Sequence, residues 1–349
     1  MGGPPRLSLA EFADGAADGP LMDGHGSVLA PLMAVDLGGA ADPATLRAAT
    51  RRARDGDRVL IGLLPGGGAS TGLSRALDLT LAPPGAATGR EIVVVDDPEA
   101  ALGELHRAVT GNPLASLVLR DVLRTTESMP VSAALDVESY AYSTLLGGPE
   151  FARWLKQRGP RPLPPVVEDS VLVVRDDPEP GTLRITLNRP ERRNAYGRQV
   201  RDALVDALQV ALLDSDIGHV VLDAEGPAFC SGGDLDEFGT APDLATAHLV
   251  RTRAGAGRLV HRLAGRTSAR LHGACVGAGI EIPAFAGTVT ARPGTTFRLP
   301  EVSMGLIPGA GGTVSIPRRI GRWRTLHLAL TGAPIDVDTA HSWGLVDHN

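Results

Sequence analysis

Three glycine-rich segments crowd the second half of the chain: FCSGGDL (229–235), GACVGAGIEI (273–282) and GLIPGAGGT (305–313). Glycine-rich turns fed by strands leave backbone N–H groups exposed. Two such groups aimed at one point make an oxyanion hole. No Lys follows the glycines in the G-x-x-x-x-G-K-[ST] manner, and GACVGAG does not fit G-x-G-x-x-G. A phosphate-cradling loop and a dinucleotide fingerprint are therefore not expected.

The runs around these turns predict alternating strands and helices, hence an α/β fold. In TLRITLN, Leu183, Ile185 and Leu187 alternate with Arg184 and Thr186, the period of a strand. Between Tyr196 and Asp214, Val200, Leu204, Leu208 and Leu212 share one helical face. HVVLDA (219–224), ARLHGACV, TVTAR and FRLP read as further short strands. Upstream, RGPRPLPP (158–165) carries four prolines and reads as a stiff extended linker. It divides the chain into an N-terminal region, 1–165, and a second region, 166–349. In the first, DRVLIGLLPG (57–66) and EIVVV (91–95) predict strands. The pattern then turns helical to Arg158, with Pro98, Pro113, Pro130 and Pro149 near helix starts.

Composition excludes several classes. A net charge of −6 and 3% aromatic residues offer nucleic acid neither a basic field nor a stacking platform. Two cysteines, Cys230 and Cys275, cannot build a disulfide scaffold and read as small buried residues. No apolar window is long enough for a membrane helix, and the first residues lack the pattern of a secretory signal. A cytoplasmic protein with no membrane or nucleic-acid partner is expected.

Two carboxylates stand out. Glu281 lies in GIEIPAFAG and Glu301 in FRLPEVSMGL, both apolar. A carboxylate among apolar residues is costly unless paired or employed, and its raised proton affinity suits acid–base work. Taken singly, Glu281 reads as a helix-start residue and Glu301 as a solvated loop residue; together with the glycine turns they form a candidate pair. His272 reads as a core or turn histidine. Ser231 lacks a G-x-S-x-G elbow, which argues against a hydrolase triad. Arg318, Arg319, Arg322 and Arg324 read as a solvated helix face, with the phosphates of a bulky ligand as the alternative. No metal motif is present.

Residues from about 170 to 349 resemble the crotonase, or enoyl-CoA hydratase/isomerase, superfamily. ITLNRPERRNAYG, VVLDAEGPAFCSGGDLDEF, HGACVGAGIEIP, FRLPEVSMGLIPGAGGT and LTGAPIDVDTAHSWGLVD match its segments in order. The resemblance implies a crotonase (ClpP-like) fold of repeated β-β-α units and an acyl-CoA substrate, with no other cofactor. It implies an oxyanion hole from the N–H groups of Gly233 and Ala278, and catalysis by Glu281 and Glu301. CoA would be held near Arg193, Asn194 and Ala195, with Ser231, Asp234 and Leu235 along the pantetheine path. Both glutamates together favour hydration of a 2-enoyl-CoA. The alternatives are an enoyl-CoA isomerase, a 3-hydroxyacyl-CoA hydrolase, a cofactor-independent arylacetyl-CoA dioxygenase or a non-catalytic acyl-CoA-binding protein. A homo-oligomer, trimer or hexamer, is the family habit.

Three departures qualify the match. Gly233–Asp234 resembles the GGD of hydrolases and ring-forming synthases, His272 replaces a frequent Asn, and Ala278 a frequent Gly. The chain also ends soon after GLVD, where family members continue into helices that cover the site. Residues 96–158 resemble that helical tail, through NPLA, a Leu/Val-rich helix and PEFARWL. They are expected to pack on the core in its place, within one chain or between subunits. Residues 33–95 would then be a degenerate crotonase half.

Overall fold

The structure, a computed structural model, describes residues 3–66 and 71–347. The N-terminal region opens with β1 (Arg6–Ser8), α1 (Leu9–Asp14), β2 (Leu32–Asp36), α2 (Pro43–Asp55), β3 (Val59–Leu63), α3 (Thr71–Ala76), β4 (Leu79–Ala82) and β5 (Ile92–Val94). These five strands form one parallel sheet in chain order. VLIGL and LTLA are buried at every position, as parallel strands covered on both faces must be. Phe12, Met33, Ala49, Leu60 and Leu73 make the core on the α1–α3 side.

Four helices follow: α4 (Pro98–Gly111), α5 (Pro113–Thr126), α6 (Val131–Leu146) and α7 (Pro149–Arg158). Pro98, Pro113 and Pro149 each occupy a first helical turn, and Pro130 caps α6, as the proline spacing predicts. The buried Glu150 carboxylate accepts from the N–H groups of Leu114 (2.8 Å) and Ala115 (3.0 Å), so α7 caps the start of α5. Residues 159–169 form neither helix nor strand.

The second region holds β6 (Val171–Arg175), β7 (Thr182–Leu187), α8 (Arg198–Leu213), β8 (His219–Ala224), α9 (Leu244–Arg253), α10 (Ala256–Arg262), β9 (Thr267–Leu271), β10 (Ala274–Val276), α11 (Ala278–Glu281), β11 (Thr288–Ala291), β12 (Thr296–Arg298), α12 (Gly312–Ile320), α13 (Arg322–Thr331), β13 (Ile335–Asp336) and α14 (Val337–Trp343). The large sheet runs β11-β9-β8-β7-β6, parallel except for the edge strand β6; the small one runs β10-β12-β13. ARLHGACV is two strands rather than one. The chain turns at His272–Gly273, leaving the large sheet after β9 and entering the small one as β10. Two turns of this winding, β9-β10-α11 and β11-β12-α12, put one strand in each sheet and then a helix, the β-β-α repeat expected; β7 and β8 enter only the large sheet. A parallel bridge between Cys230 and Cys275 brings the FCSGGD loop into the same register.

Helices α4, α5 and α6 pack on α12 and α13, and α6 also meets α9 and α10. Here the structure corrects the expectation for three of the four clustered arginines; Arg318 is exposed, but Arg319, Arg322 and Arg324 are not on a solvated face. Arg322 is buried, donates to the carbonyls of Arg75 (2.6 Å) and Leu77 (3.1 Å), and stacks on Trp323. Arg319 donates to Ala284 (2.9 Å) and Ala286 (2.7 Å), Arg318 to Met129 (2.7 Å) and Arg324 to Gly89 (3.1 Å). Arg318, Arg322 and Arg324 thus join the two regions, while Arg319 bonds within the second. Buried Asp78 collects Arg124 (2.7 Å), Arg120 (3.4 Å) and Arg322 (3.6 Å) at the centre of that junction. Among the described residues no helix is long and apolar enough to cross a membrane.

Candidate active site

The FCSGGD loop that follows β8 and the strand β10 that leads into α11 are brought together by backbone pairing. Cys230 donates its N–H to Ala274 (3.3 Å), and its carbonyl accepts from Val276 (3.0 Å). Gly279 permits this approach, because a Cβ there would stand under 3.0 Å from the Cys230 carbonyl oxygen. The result sets Gly233 beside Ala278 on the wall of one cavity of about 380 Å³. In its parallel bridge with Gly233, Tyr196 donates to the Gly232 carbonyl and accepts from the Asp234 N–H, which leaves the Gly233 N–H free. Ala278 is the first residue of α11, so its N–H has no partner in the helix. Neither N–H donates to a protein acceptor among the described residues. Two open donors on one cavity wall can stabilise negative charge on a single oxygen.

Glu281 and Glu301 line the same cavity. Glu281 lies in the first turn of α11, as its single-residue reading expects, but both acids are buried, at 2% and 8% exposure, so Glu301 is not a solvated loop residue. Gly277 lies between them with φ +49°, and a Cβ built on it would stand under 3.0 Å from Glu301 Oε1 and 3.5 Å from Glu281 Oε1. The two carboxyl groups thus flank one point. Their surroundings differ. Glu281 Oε2 accepts from the N–H groups of Ala310 (2.7 Å) and Gly312 (2.9 Å). Glu301 Oε2 is buried with no partner. Burial raises the proton affinity of both; the two amides restrain the rise at Glu281, while the nearby Glu281 charge adds to it at Glu301. Glu281 is the readier of the two to ionise and Glu301 the readier to hold a proton.

A third carboxylate, which sequence reasoning missed, enters from α6. Glu138 is 2% exposed, lines the cavity and accepts from the N–H groups of Gly311 (2.8 Å) and Thr313 (2.9 Å) and from the Thr313 hydroxyl (2.7 Å). Burial first, and then the charge of Glu281, raise its proton affinity. The sequence does hold a signal. Leu135, Glu138, Tyr142 and Leu145 recur at helical spacing, which sets a carboxylate within an otherwise apolar stripe.

The remaining expected residues lie outside the cavity wall or are engaged elsewhere. Asp234 lines the cavity but pairs with Arg192 at 2.7 Å. Ser231 donates its N–H to the Arg193 carbonyl (3.0 Å). The Asn194 side chain is wholly buried, accepting from Arg189 N–H (2.7 Å) and donating to Glu225 (2.8 Å) and Ala228 (3.0 Å). Arg193, Ala195 and Leu235 sit beside the cavity, with Arg193 and Leu235 open to solvent. His272 Nε2 meets the Gly226 carbonyl at 3.0 Å, a turn-stapling role. Both cysteines are free and buried, and burial pushes the Cys230 thiol up to about 12.

The sequence profile of the Enoyl-CoA hydratase/isomerase family matches residues 178–348. The chain is 33% identical over 173 residues to a 1,2-epoxyphenylacetyl-CoA isomerase of Escherichia coli K12, covering 48% of this chain and 66% of that protein. It is 32% identical over 196 residues to a mevalonyl-coenzyme A hydratase of Beauveria bassiana, covering 53% of this chain and 68% of that protein. A solved enoyl-CoA hydratase of Mycobacterium smegmatis is 30% identical, with a TM-score of 0.48 over 52% of this chain and 70% of the other. The chain spans about two thirds of the length of the curated relatives it matches. Sequence identity at this level over that share of a relative, on a fold of β-β-α turns, makes the chain a member of the enoyl-CoA hydratase/isomerase family.

Proposed function

We propose that this protein adds water across the C2–C3 double bond of a 2-enoyl thioester of coenzyme A. The observation that carries the reading is the placing of Glu281 and Glu301 about one point, beside two unpartnered N–H groups. In this reading the thioester oxygen accepts from Gly233 and Ala278. The Glu281 carboxylate takes a proton from a water held between the two acids, and the oxygen of that water bonds to C3. The electron pair of the double bond moves toward the thioester, and the charge gathers on the oxygen held by the two donors. Glu301, protonated, then delivers its proton to C2. Two carboxyl groups with different proton affinities suit this division of labour. The adenine end of CoA is assigned to the backbone of 193–195, and the pantetheine to the path along Ser231, Asp234 and Leu235. Helices α4–α7 are proposed to serve as the cover that tail helices supply in relatives of the usual order.

The test is loss of the conjugated enoyl-thioester absorbance of crotonyl-CoA. Loss in the wild type that collapses in both Glu281→Gln and Glu301→Gln supports hydration. An isomerase needs one base to shuttle a proton, so double-bond migration that survives Glu281→Gln would replace this reading.

A further inference from the structure

Arg251, on α9, stands in the wall of the same cavity with no carboxylate against it. Its Nε donates to Ser139 Oγ (3.1 Å), and its Nη2 to the Ser139 carbonyl (3.3 Å) and the Ser143 hydroxyl. The guanidinium lies over the Tyr142 ring at 4.6 Å. Every one of these partners is neutral. Nη1 donates to no protein acceptor among the described residues. The other cavity arginines differ: Arg258 pairs with Asp136 (2.9 Å), Arg201 with Asp202 (2.7 Å), and Arg198 is exposed. Glu138 is within electrostatic reach of Arg251, but the amides of Gly311 and Thr313 hold its two oxygens.

A guanidinium taken out of water toward dipoles and a ring face regains only part of its hydration. Its planar fork fits a carboxylate in a bidentate pair better than it fits any group now touching it. The position is specific too. Tyr142 packs against Gly309 and Arg251 and lies within electrostatic reach of Glu281 and Glu301. One side chain thus touches Arg251 and reaches the two acids assigned to the reacting carbons. The cavity lining includes Leu135, Leu146, Ala247 and Val250, which suits a short apolar spacer.

We propose that the cavity selects acyl groups whose far end carries a carboxylate, and that Arg251 is the residue that reads it. The inference rests on the thioester reading above and names the substrate class for it: CoA monothioesters of short dicarboxylic acids. Ser139 and Ser143 hold the guanidinium in place for that pair.

Two measurements keep the inference and the reading apart. The first is binding, by calorimetry, of saturated CoA monothioesters of dicarboxylic acids against CoA thioesters of monocarboxylic acids of the same length. Saturated thioesters cannot be hydrated, so this comparison does not depend on the reaction. The dicarboxylic series is expected to bind at least about tenfold tighter at one chain length, with the preference lost in Arg251→Gln and partly kept in Arg251→Lys. Equal binding of the two series, or a preference unchanged in Arg251→Gln, overturns the proposal. Each preference is a ratio within one variant, so a smaller folded fraction cancels. The second is hydration of the matching 2-enoyl thioesters by the wild type. Selective binding without hydration would leave the Arg251 assignment standing and remove the hydratase reading.

Discussion

Glu138 and Glu281 hold alternate amides of a single turn. Glu281 takes the N–H groups of Ala310 and Gly312, and Glu138 takes those of Gly311 and Thr313. The turn is the start of α12, where unpartnered N–H groups and the helix dipole both favour negative charge. The two acids come from opposite sides of the Pro-rich segment, so the orientation of one depends on the other region. Glu138→Ala should free two amides and loosen the turn that aims Glu281. We expect kcat to fall roughly 10–100-fold with little change in KM, as for other losses of positioning. Unchanged kcat in Glu138→Ala would show that the turn holds without it.

The division between the two cavity acids has its own consequence. In the proposed mechanism Glu281→Gln removes the base and Glu301→Gln the acid. Each should cost roughly 10²–10⁴-fold in kcat, in the range of general acid–base catalysis. Binding of a saturated acyl-CoA should persist in both, since the oxyanion donors are backbone groups. Steady-state kinetics and calorimetry on the same preparations check the two halves of this expectation. Equal loss of binding would mean that the substitutions collapse the cavity.

Gly277 links local backbone conformation to that chemistry. Its φ of +49° is the left-handed region, and a Cβ would fall under 3.0 Å from Glu301 Oε1. Gly277→Ala therefore strains the backbone and displaces an acid at once. The strain should cost about 1–2 kcal/mol of stability. Activity should fall far more than the folded fraction does, read by kcat against the far-UV circular dichroism spectrum.

Much of this arrangement is legible in the residues, for identifiable reasons. Pro98, Pro113 and Pro149 mark helix starts because proline suits only a first helical turn. HVVLDA is a strand from His219 to Ala224 because its apolar run is short and closely bounded. Glu281 and Glu301 stand out because carboxylates are costly in apolar segments. Other features depend on contacts remote in sequence. Residues 3–55 hold β1, β2, α1 and α2, and β1 is too short for any periodicity to register. Arg322 reads as a surface cation until Asp78 and the Leu77 carbonyl are brought to it across the chain. Glu138 sits in a helix whose stripe is visible, but its partners are 173 and 175 residues away.

The junction itself predicts a stability effect. Asp78 is 1% exposed and serves Arg120, Arg124 and Arg322, and it also accepts from the Leu60 N–H at 2.8 Å. Asp78→Ala would leave Arg124 without a countercharge, and the almost fully buried Arg120 and Arg322 with only the exposed Asp121 (2.6 Å) and Glu127 (3.3 Å). Breaking a buried ion pair by removing one partner costs about 3–5 kcal/mol. Chemical denaturation should show a lower midpoint, with the N-terminal sheet and α13 losing hydrogen-exchange protection together. A loss confined to the N-terminal sheet would mean that Arg322 contributes nothing to the junction.

The buried acids also set how stability depends on pH. Burial raises Glu138 to about 8 and Glu281 to about 7 from an ordinary value of 4.5, and pushes Glu301 well above its usual range. In the unfolded chain all three ionise near that ordinary value. Between 4.5 and about 8 the folded protein therefore holds more protons than the unfolded one. Stability falls with rising pH wherever the folded state binds the excess. The contribution is complete below 4.5 and is lost as pH climbs through the folded values. Other groups add their own slopes, so the comparison that isolates these three is between the wild type and the triple variant Glu138→Gln, Glu281→Gln, Glu301→Gln. The wild-type melting temperature should drop relative to that of the variant by roughly 5 °C or more across this window. Parallel melting curves at every pH would show that these carboxyl groups titrate alike in the folded and unfolded chains.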